Sequence, residues 1–195
     1  MFRPLNAILA VLLIACLATA GVLHAAEPPQ RCAAKEITLR SLAWTDAQRV
    51  IASQKDHVVL VDVWTTTCPT CLEHFPKFVE LGRQLQGRGL VCVSVNCDYD
   101  GIPAKPPAHY APRVLKFLRE QHAHSTNLLL TDPLVEFLEA AKIDATPTYL
   151  LYDRSGQLLR RFDGSTEEFT FDQVAQAVES AMSPAARGVR SQDEN

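Results

Sequence analysis

The stretch from Val58 to Trp64, VVLVDVW, is apolar except for one carboxylate, and a pair of cysteines two residues apart follows at Cys68 and Cys71. A short valine-rich run of this kind predicts a strand covered on both faces. The next stretch, CLEHFPKFVELGRQLQ, sets Leu72, Phe75, Phe78, Val79 and Leu81 at helical spacing, with Pro76 inside as an expected kink and Gly87 and Gly89 near the end. GLVCVSVNCD then reads as a second buried strand. Strand, helix, strand predicts a right-handed crossover with the two strands parallel. The chain is therefore expected to build an α/β sheet, with the cysteine pair where a strand hands over to a helix.

That position has chemical consequences. The first turn of a helix has free backbone N–H groups and a positive dipole end. A thiolate at Cys68 is stabilised there, and its pKa falls below the usual ~8.5. Pro69 loses no useful amide at the first helical position, and Thr70 and Cys71 can aim theirs at the sulfur. One helical turn brings Cys71 beside Cys68, close enough for a reversible disulfide. Cys68 is the expected attacking thiol and Cys71 the buried resolving one. Asp62, alone in its apolar run, has two readings: a buried carboxyl with raised pKa that takes and returns the proton of a buried thiol, or an inert acid at a strand end.

The rest of the chain reads as follows. EITLRSLAW is a short extended segment, and TDAQRVIASQ a helix capped by Thr45 or Asp46. YDGIPAKPPAHYAP is a proline-rich loop before a helix RVLKFLREQH; NLLLTD is extended; PLVEFLEAAKI is a helix with Pro133 in its first turn. TPTYLLYDRSGQLLRRFDG predicts a β-hairpin turning over Asp153 to Gly156, and EEFTFDQVAQAVESAM a closing helix. The expected organisation is a linker or extended segment over 27–43, one domain over 44–182, and a loose tail over 183–195. Trp64 is expected to pack beneath the cysteine-bearing helix, and Trp44 to staple the first helix.

The N-terminus is set apart. After Arg3 no Lys, Arg, Asp or Glu occurs until Glu27, which reads as an export signal or membrane anchor over residues 1–26. Cleavage near Ala25 or Ala26, lipidation of Cys16 in LIAC, or an uncleaved span from Ala7 to Ala26 all fit, the last being near the ~20 residues a bilayer needs. Export to the periplasm, free or membrane-anchored, places the cysteines where disulfides persist. Net charge is −3, which gives no reason to expect nucleic acid as a partner.

Four cysteines, Cys68, Cys71, Cys92 and Cys97, fall near zinc-ribbon spacing. Cys92 and Cys97 lie five apart on one expected strand, however, and an odd offset sends them to opposite faces. No metal site is expected. Cys92 reads as a small core residue, and Cys97 as core or a third redox thiol.

LVDVWTTTCPTC resembles the active-site segment of the thioredoxin superfamily: Asp-x-Trp before the cysteines, and Pro76 five after Cys71. DATPTYLLYDRSGQLLRRFDG resembles the second signature of that family, a cis-proline, a hairpin and a glycine. The added segment from Tyr99 to Ile143 resembles the periplasmic TlpA/ResA type. The resemblance implies a thioredoxin-like fold: a mixed central sheet flanked by helices, with a helical insertion before the cis-proline strand. It implies thiol–disulfide exchange with exported proteins through Cys68 and Cys71, with Asp62 handling the proton. Thr146 and cis-Pro147 would hold the partner strand by strand addition. Partners would be protein thiols and disulfides plus an upstream thiol redox donor or acceptor, with no dissociable cofactor. Three positions depart from the family: Thr67 stands where Trp is usual, Pro69-Thr70 where thioredoxins have Gly-Pro, and LVCVSVNC lacks a lysine that thioredoxins place near the buried acid. A peroxiredoxin is disfavoured, because Thr65 fits its pattern but Val61 stands where it needs proline. The alternatives of another class are a catalytically silent binding protein and a copper-handling one drawing on His109, His122 or His124.

Overall fold

A computed structural model describes residues 36–164 and 168–183. The expected leader or anchor over 1–26, with Cys16, lies outside the described residues, as do Cys32 and 184–195 of the expected tail. The elements are β1 (Arg40–Leu42), α1 (Trp44–Ala52), β2 (Val58–Trp64), α2 (Pro69–Leu85), β3 (Leu90–Asn96), α3 (Pro107–Glu120), β4 (Thr126–Leu130), α4 (Leu134–Ala141), β5 (Thr148–Tyr152), β6 (Leu158–Asp163) and α5 (Phe171–Met182).

The strands form one six-stranded sheet in the order β1-β4-β3-β2-β5-β6. β1, β4, β3 and β2 run parallel, β5 is antiparallel to β2, and β6 is antiparallel to β5. This is the mixed, helix-flanked sheet of a thioredoxin-like fold. β2 is central and buried along its whole length, which is why its sequence is a run of apolar residues rather than an alternation. The inserted segment contributes α3 and α4 and also a strand, β4, which carries β1 at the sheet's edge.

Period-two alternation divides the core. Leu60, Trp64, Cys92, Tyr149 and Leu151 face a cluster completed by Phe75 and Phe78 of α2, Val114 and Leu118 of α3, and Val174 and Val178 of α5. Val59, Val61, Val63, Val93 and Val95 face the other side, against Trp44, Ala47 and Ile51 of α1 and Phe137 of α4. By the same alternation Asp62 projects toward α2. The helix sits close on the sheet: a Cβ at Gly82 would come within 3.0 Å of Cys92 Sγ. Trp64 packs under α2 as expected, its ring 4.7 Å from Phe75 and 5.1 Å from Phe117 between centroids.

Several local expectations are corrected. Neither Thr45 nor Asp46 caps α1; Ala43 is the N-cap without a side-chain bond, and the Trp44 amide donates to Asp132 Oδ2 at 2.6 Å, 88 residues away. Trp44 itself docks on α4, edge-on to Phe137 at 5.1 Å. α3 begins six residues before the expected Arg113, at Pro107. A proline at the first position loses only an amide that has no intrahelical partner, so the proline-rich stretch starts a helix rather than excluding one. α4 stops at Ala141 because Lys142 turns left-handed, φ +55°. α5 begins at Phe171, behind a capping box of Thr170 and Gln173. The hairpin turn is as expected: Asp153 Oδ1 accepts from the amides of Ser155 and Gln157, and Gly156 takes φ +82°.

Candidate active site

Cys68 is the N-cap of α2, with extended backbone, and its Sγ accepts the Cys71 amide at 3.1 Å. Pro69 follows at the first helical position. Cys68 and Cys71 are joined by a disulfide, their Cα atoms 5.2 Å apart. Cys68 is half-buried and Cys71 fully buried, so one sulfur is within reach of a partner and the other is not. The helix N-terminus that the local sequence predicts is thus aimed at the Cys68 sulfur.

The second signature lies beside it. The Thr146–Pro147 peptide is cis, and Cys68 Sγ is 3.4 Å from the Thr146 carbonyl oxygen. Thr148 Oγ1 donates to the Ala145 carbonyl at 2.7 Å, pinning the entry to β5. Thr146 is 78 residues from Cys68 in sequence and adjacent to it in space.

Asp62, on the face of β2 that turns toward α2, is wholly buried, and neither carboxylate oxygen has a hydrogen-bond partner among the described residues. Burial pushes its pKa well above the ordinary carboxylate range. The inert strand-end reading does not describe this group: a strand-end acid would be solvated or bonded, and Asp62 is neither. Its cross-strand neighbours are Ser94 on β3 and Tyr149 on β5. The Ser94 hydroxyl accepts from Trp64 Nε1 at 2.8 Å. Burial, and the Asp62 charge after it, pushes the Cys92 thiol up to about 12. Cys97 is raised too, by burial first, then by Asp98 and Asp62. Cys92 and Cys97 belong to opposite faces of the sheet, and both are buried free thiols.

A second acid shapes the site and was not visible in the motif. Asp98, just past β3, accepts the Thr66 amide at 2.7 Å, the Thr66 hydroxyl at 2.6 Å and Asn96 Nδ2 at 3.2 Å. Arg113 of α3 adds Nε at 2.9 Å and Nη2 at 2.8 Å. This ties the loop that delivers Cys68 to both the sheet and the inserted helix. Thr67 is exposed beside a groove of about 260 Å³ lined also by Lys105, His109 and Arg113. His122 and His124 line a separate cleft with His57 and Cys92, near the N-terminal ends of β2 and β3. Among the described residues no group of three or more His, Cys, Asp or Glu side chains is placed to hold a metal ion.

The Redoxin family model matches residues 32–178. No curated protein matches the chain. Among solved structures, it is similar to a Chlorobium tepidum protein assigned as the thiol:disulfide interchange protein DsbE: 24% identity over 68% of this chain and 85% of that one, TM-score 0.53. A secreted Mycobacterium tuberculosis disulfide oxidoreductase homologous to DsbE of E. coli matches at 16% identity over 66% and 85%, TM-score 0.51. The thioredoxin domain of a Bacteroides vulgatus thiol-disulfide oxidoreductase matches at 21% over 67% and 83%, TM-score 0.51. These likenesses show the fold, and the family match spans most of the sequence: the chain belongs to the Redoxin family and has a thioredoxin-like fold.

Proposed function

We propose that the chain exchanges disulfides with exported proteins through Cys68 and Cys71. The observation that carries this reading is the disulfide between a half-exposed Cys68 and a buried Cys71 at the N-terminus of α2, facing the Thr146 carbonyl. In the reducing direction, the Cys68 thiolate attacks one sulfur of a partner disulfide and expels the other as a thiolate, leaving a mixed disulfide. Cys71 gives its proton to Asp62, attacks Cys68 Sγ and releases the second partner sulfur. Two electrons pass from the dithiol to the partner, and the protein is left in the disulfide form seen here. The oxidising direction is the same path reversed.

Thr146 and Pro147 act as the platform for the partner. An extended segment laid beside them can pair with the Thr146 backbone, which puts its disulfide within reach of Cys68. The small Thr67 at the lip of the groove leaves that approach open.

The export reading is supported by the apolar stretch over residues 1–26 and by the secreted Mycobacterium tuberculosis relative. No helix among the described residues is long and apolar enough to cross a membrane.

The test is thiol-dependent turnover of insulin by the reduced protein. Cys68→Ser is expected to abolish it. Cys71→Ser is expected to accumulate a mixed disulfide on Cys68, visible as added mass that a reductant removes. Wild-type protein that neither turns over insulin nor forms such an adduct in the Cys71 variant would overturn the reading in favour of a silent binding protein.

A further inference from the structure

Among the described residues, the buried side-chain nitrogen and oxygen atoms that lack a hydrogen-bond partner are Asp62 Oδ1, Asp62 Oδ2, Tyr149 Oη and His74 Nδ1. They come from three elements and lie on the same face of the sheet. Buried polar atoms are normally bonded, and orphans scattered through a core would each need a separate account. Orphans gathered on one face call for a common one.

The three side chains form a spatial series. Asp62 and Tyr149 are directly opposite each other on antiparallel β2 and β5, so both project toward α2. The Tyr149 ring lies 6.4 Å from the His74 ring between centroids. His74 is on α2, three residues after Cys71, and so on the same side of the helix as the resolving thiol. Asp62 and Tyr149 have no exposed surface, whereas His74 keeps 8% of its own. The series therefore runs from the deepest acid to the boundary of the core. Phe169 and Phe171 close over the His74 ring, holding it against Tyr149.

Resting on the reading of Asp62 given above, we infer that Tyr149 and His74 are the route by which Asp62 exchanges its proton with solvent. Tyr149 is a positioning and proton-passing residue, and His74 is the outlet. Asp62 passes its proton to Tyr149 Oη as the hydroxyl passes its own to His74 Nδ1; the imidazolium then releases the Nε2 proton to water. One proton has moved outward: Asp62 ends ionised, Tyr149 ends neutral with a new hydroxyl proton, and His74 ends neutral as its Nδ1–H tautomer, which returns to the Nε2–H form by proton exchange with water. A hydroxyl is both donor and acceptor, and a neutral imidazole has one of each, so both links are chemically complete after side-chain rotation. Burial pushes Asp62 toward its protonated form. A carboxyl already holding a proton must shed it before it can take that of Cys71, and this makes the outlet a gate on resolution.

The titratable groups around the series are few. On α2 they are Cys71, Glu73 and Lys77; on β3 and just beyond it, Cys92 and Cys97; on β5, Tyr149. The segment before α5 and α5 itself present Phe169 and Phe171 to His74. Burial first, then Lys77, lowers the His74 pKa against an opposing effect of Glu73. This keeps the ring neutral and ready to accept at neutral pH.

The test uses the reduced protein and 5,5′-dithiobis(2-nitrobenzoate). Attack by Cys68 releases one coloured thiolate, and resolution by Cys71 releases the second, so two kinetic phases separate the two sulfurs. His74→Phe and Tyr149→Phe keep the aromatic packing, and His74→Gln serves where the Phe variant does not fold. The expected result is an unchanged first phase and a second phase slowed about tenfold or more at neutral pH, with added imidazole restoring the His74 variants. Asp62→Asn should slow the second phase with no rescue by imidazole. If Asp62→Asn slows resolution while the His74 and Tyr149 variants do not, the outlet is refuted and the role of Asp62 stands. Slowing of the His74 variants without imidazole rescue also refutes the outlet, leaving them a packing role. If Asp62→Asn resolves at the wild-type rate, the underlying reading of Asp62 falls as well.

Discussion

Two buried carboxylates flank the cysteine loop, and they are treated in opposite ways. Asp98, in the loop region past β3, receives bonds from Thr66, Asn96 and Arg113. Asp62, in the region beneath α2, receives none from the described residues. A carboxylate with every lone pair occupied is fixed in place, which suits a group that holds a loop. One with none occupied is costly to ionise, which suits a group that must gain and lose a proton. The contrast separates the part of the site that positions Cys68 from the part proposed to serve Cys71.

The largest effect should come from breaking the satisfied acid. Asp98→Ala leaves the Thr66 amide and Arg113 without their partner. It should cost about 2–3 kcal/mol in urea unfolding of the disulfide form, below the range for a fully buried pair because Arg113 is half exposed. Asp62→Asn should act in the opposite sense. The unfolded carboxyl ionises near ~3.9, whereas the folded one ionises higher. Between those values the native state holds more protons than the unfolded state, so wild-type stability falls as pH rises through that window. Asn removes the loss: a gain of about 1–2 kcal/mol is expected at pH 8, closing toward zero at pH 4. A variant no more stable than wild type at pH 8 would mean that Asp62 is better solvated than its surroundings indicate. The smallest effect is expected from Tyr149→Phe. Because the lost hydroxyl has no partner, stability should stay within about 0.5 kcal/mol of wild type, rather than show the cost of about 1 kcal/mol typical of deleting a bonded one.

The same contrast explains what could be read in the linear sequence. Cys68 and Cys71 stand at one strand-to-helix transition, where spacing and local periodicity single them out; for Asp62 the local pattern left two readings open, and the resemblance chose between them. Thr146 and Pro147 were found through resemblance alone, because nothing local distinguishes that proline. Asp98 escaped notice because its partners Thr66 and Arg113 are 32 and 15 residues away. His74 and Tyr149 were read only as part of a helix and a strand. Their significance lies in the β2–β5 register, which sets Tyr149 opposite Asp62, and register between distant strands is not written in either strand alone. α3 began earlier than expected because prolines were weighed as breakers, whereas Pro107 stands at the first helical position, where the missing amide would have had no intrahelical partner.

The close seat of α2 on the sheet has a consequence for the sulfur at its far end. The helix can rest against Cys92 only because residue 82 carries no side chain. An alanine there would require the thiol beneath it or the helix to give by a few tenths of an ångström. Residue 82 and the Cys68 N-cap belong to the same helix, with Pro76 between them. A glycine nearly four turns from the chemistry thereby helps to seat the element that presents the reactive end.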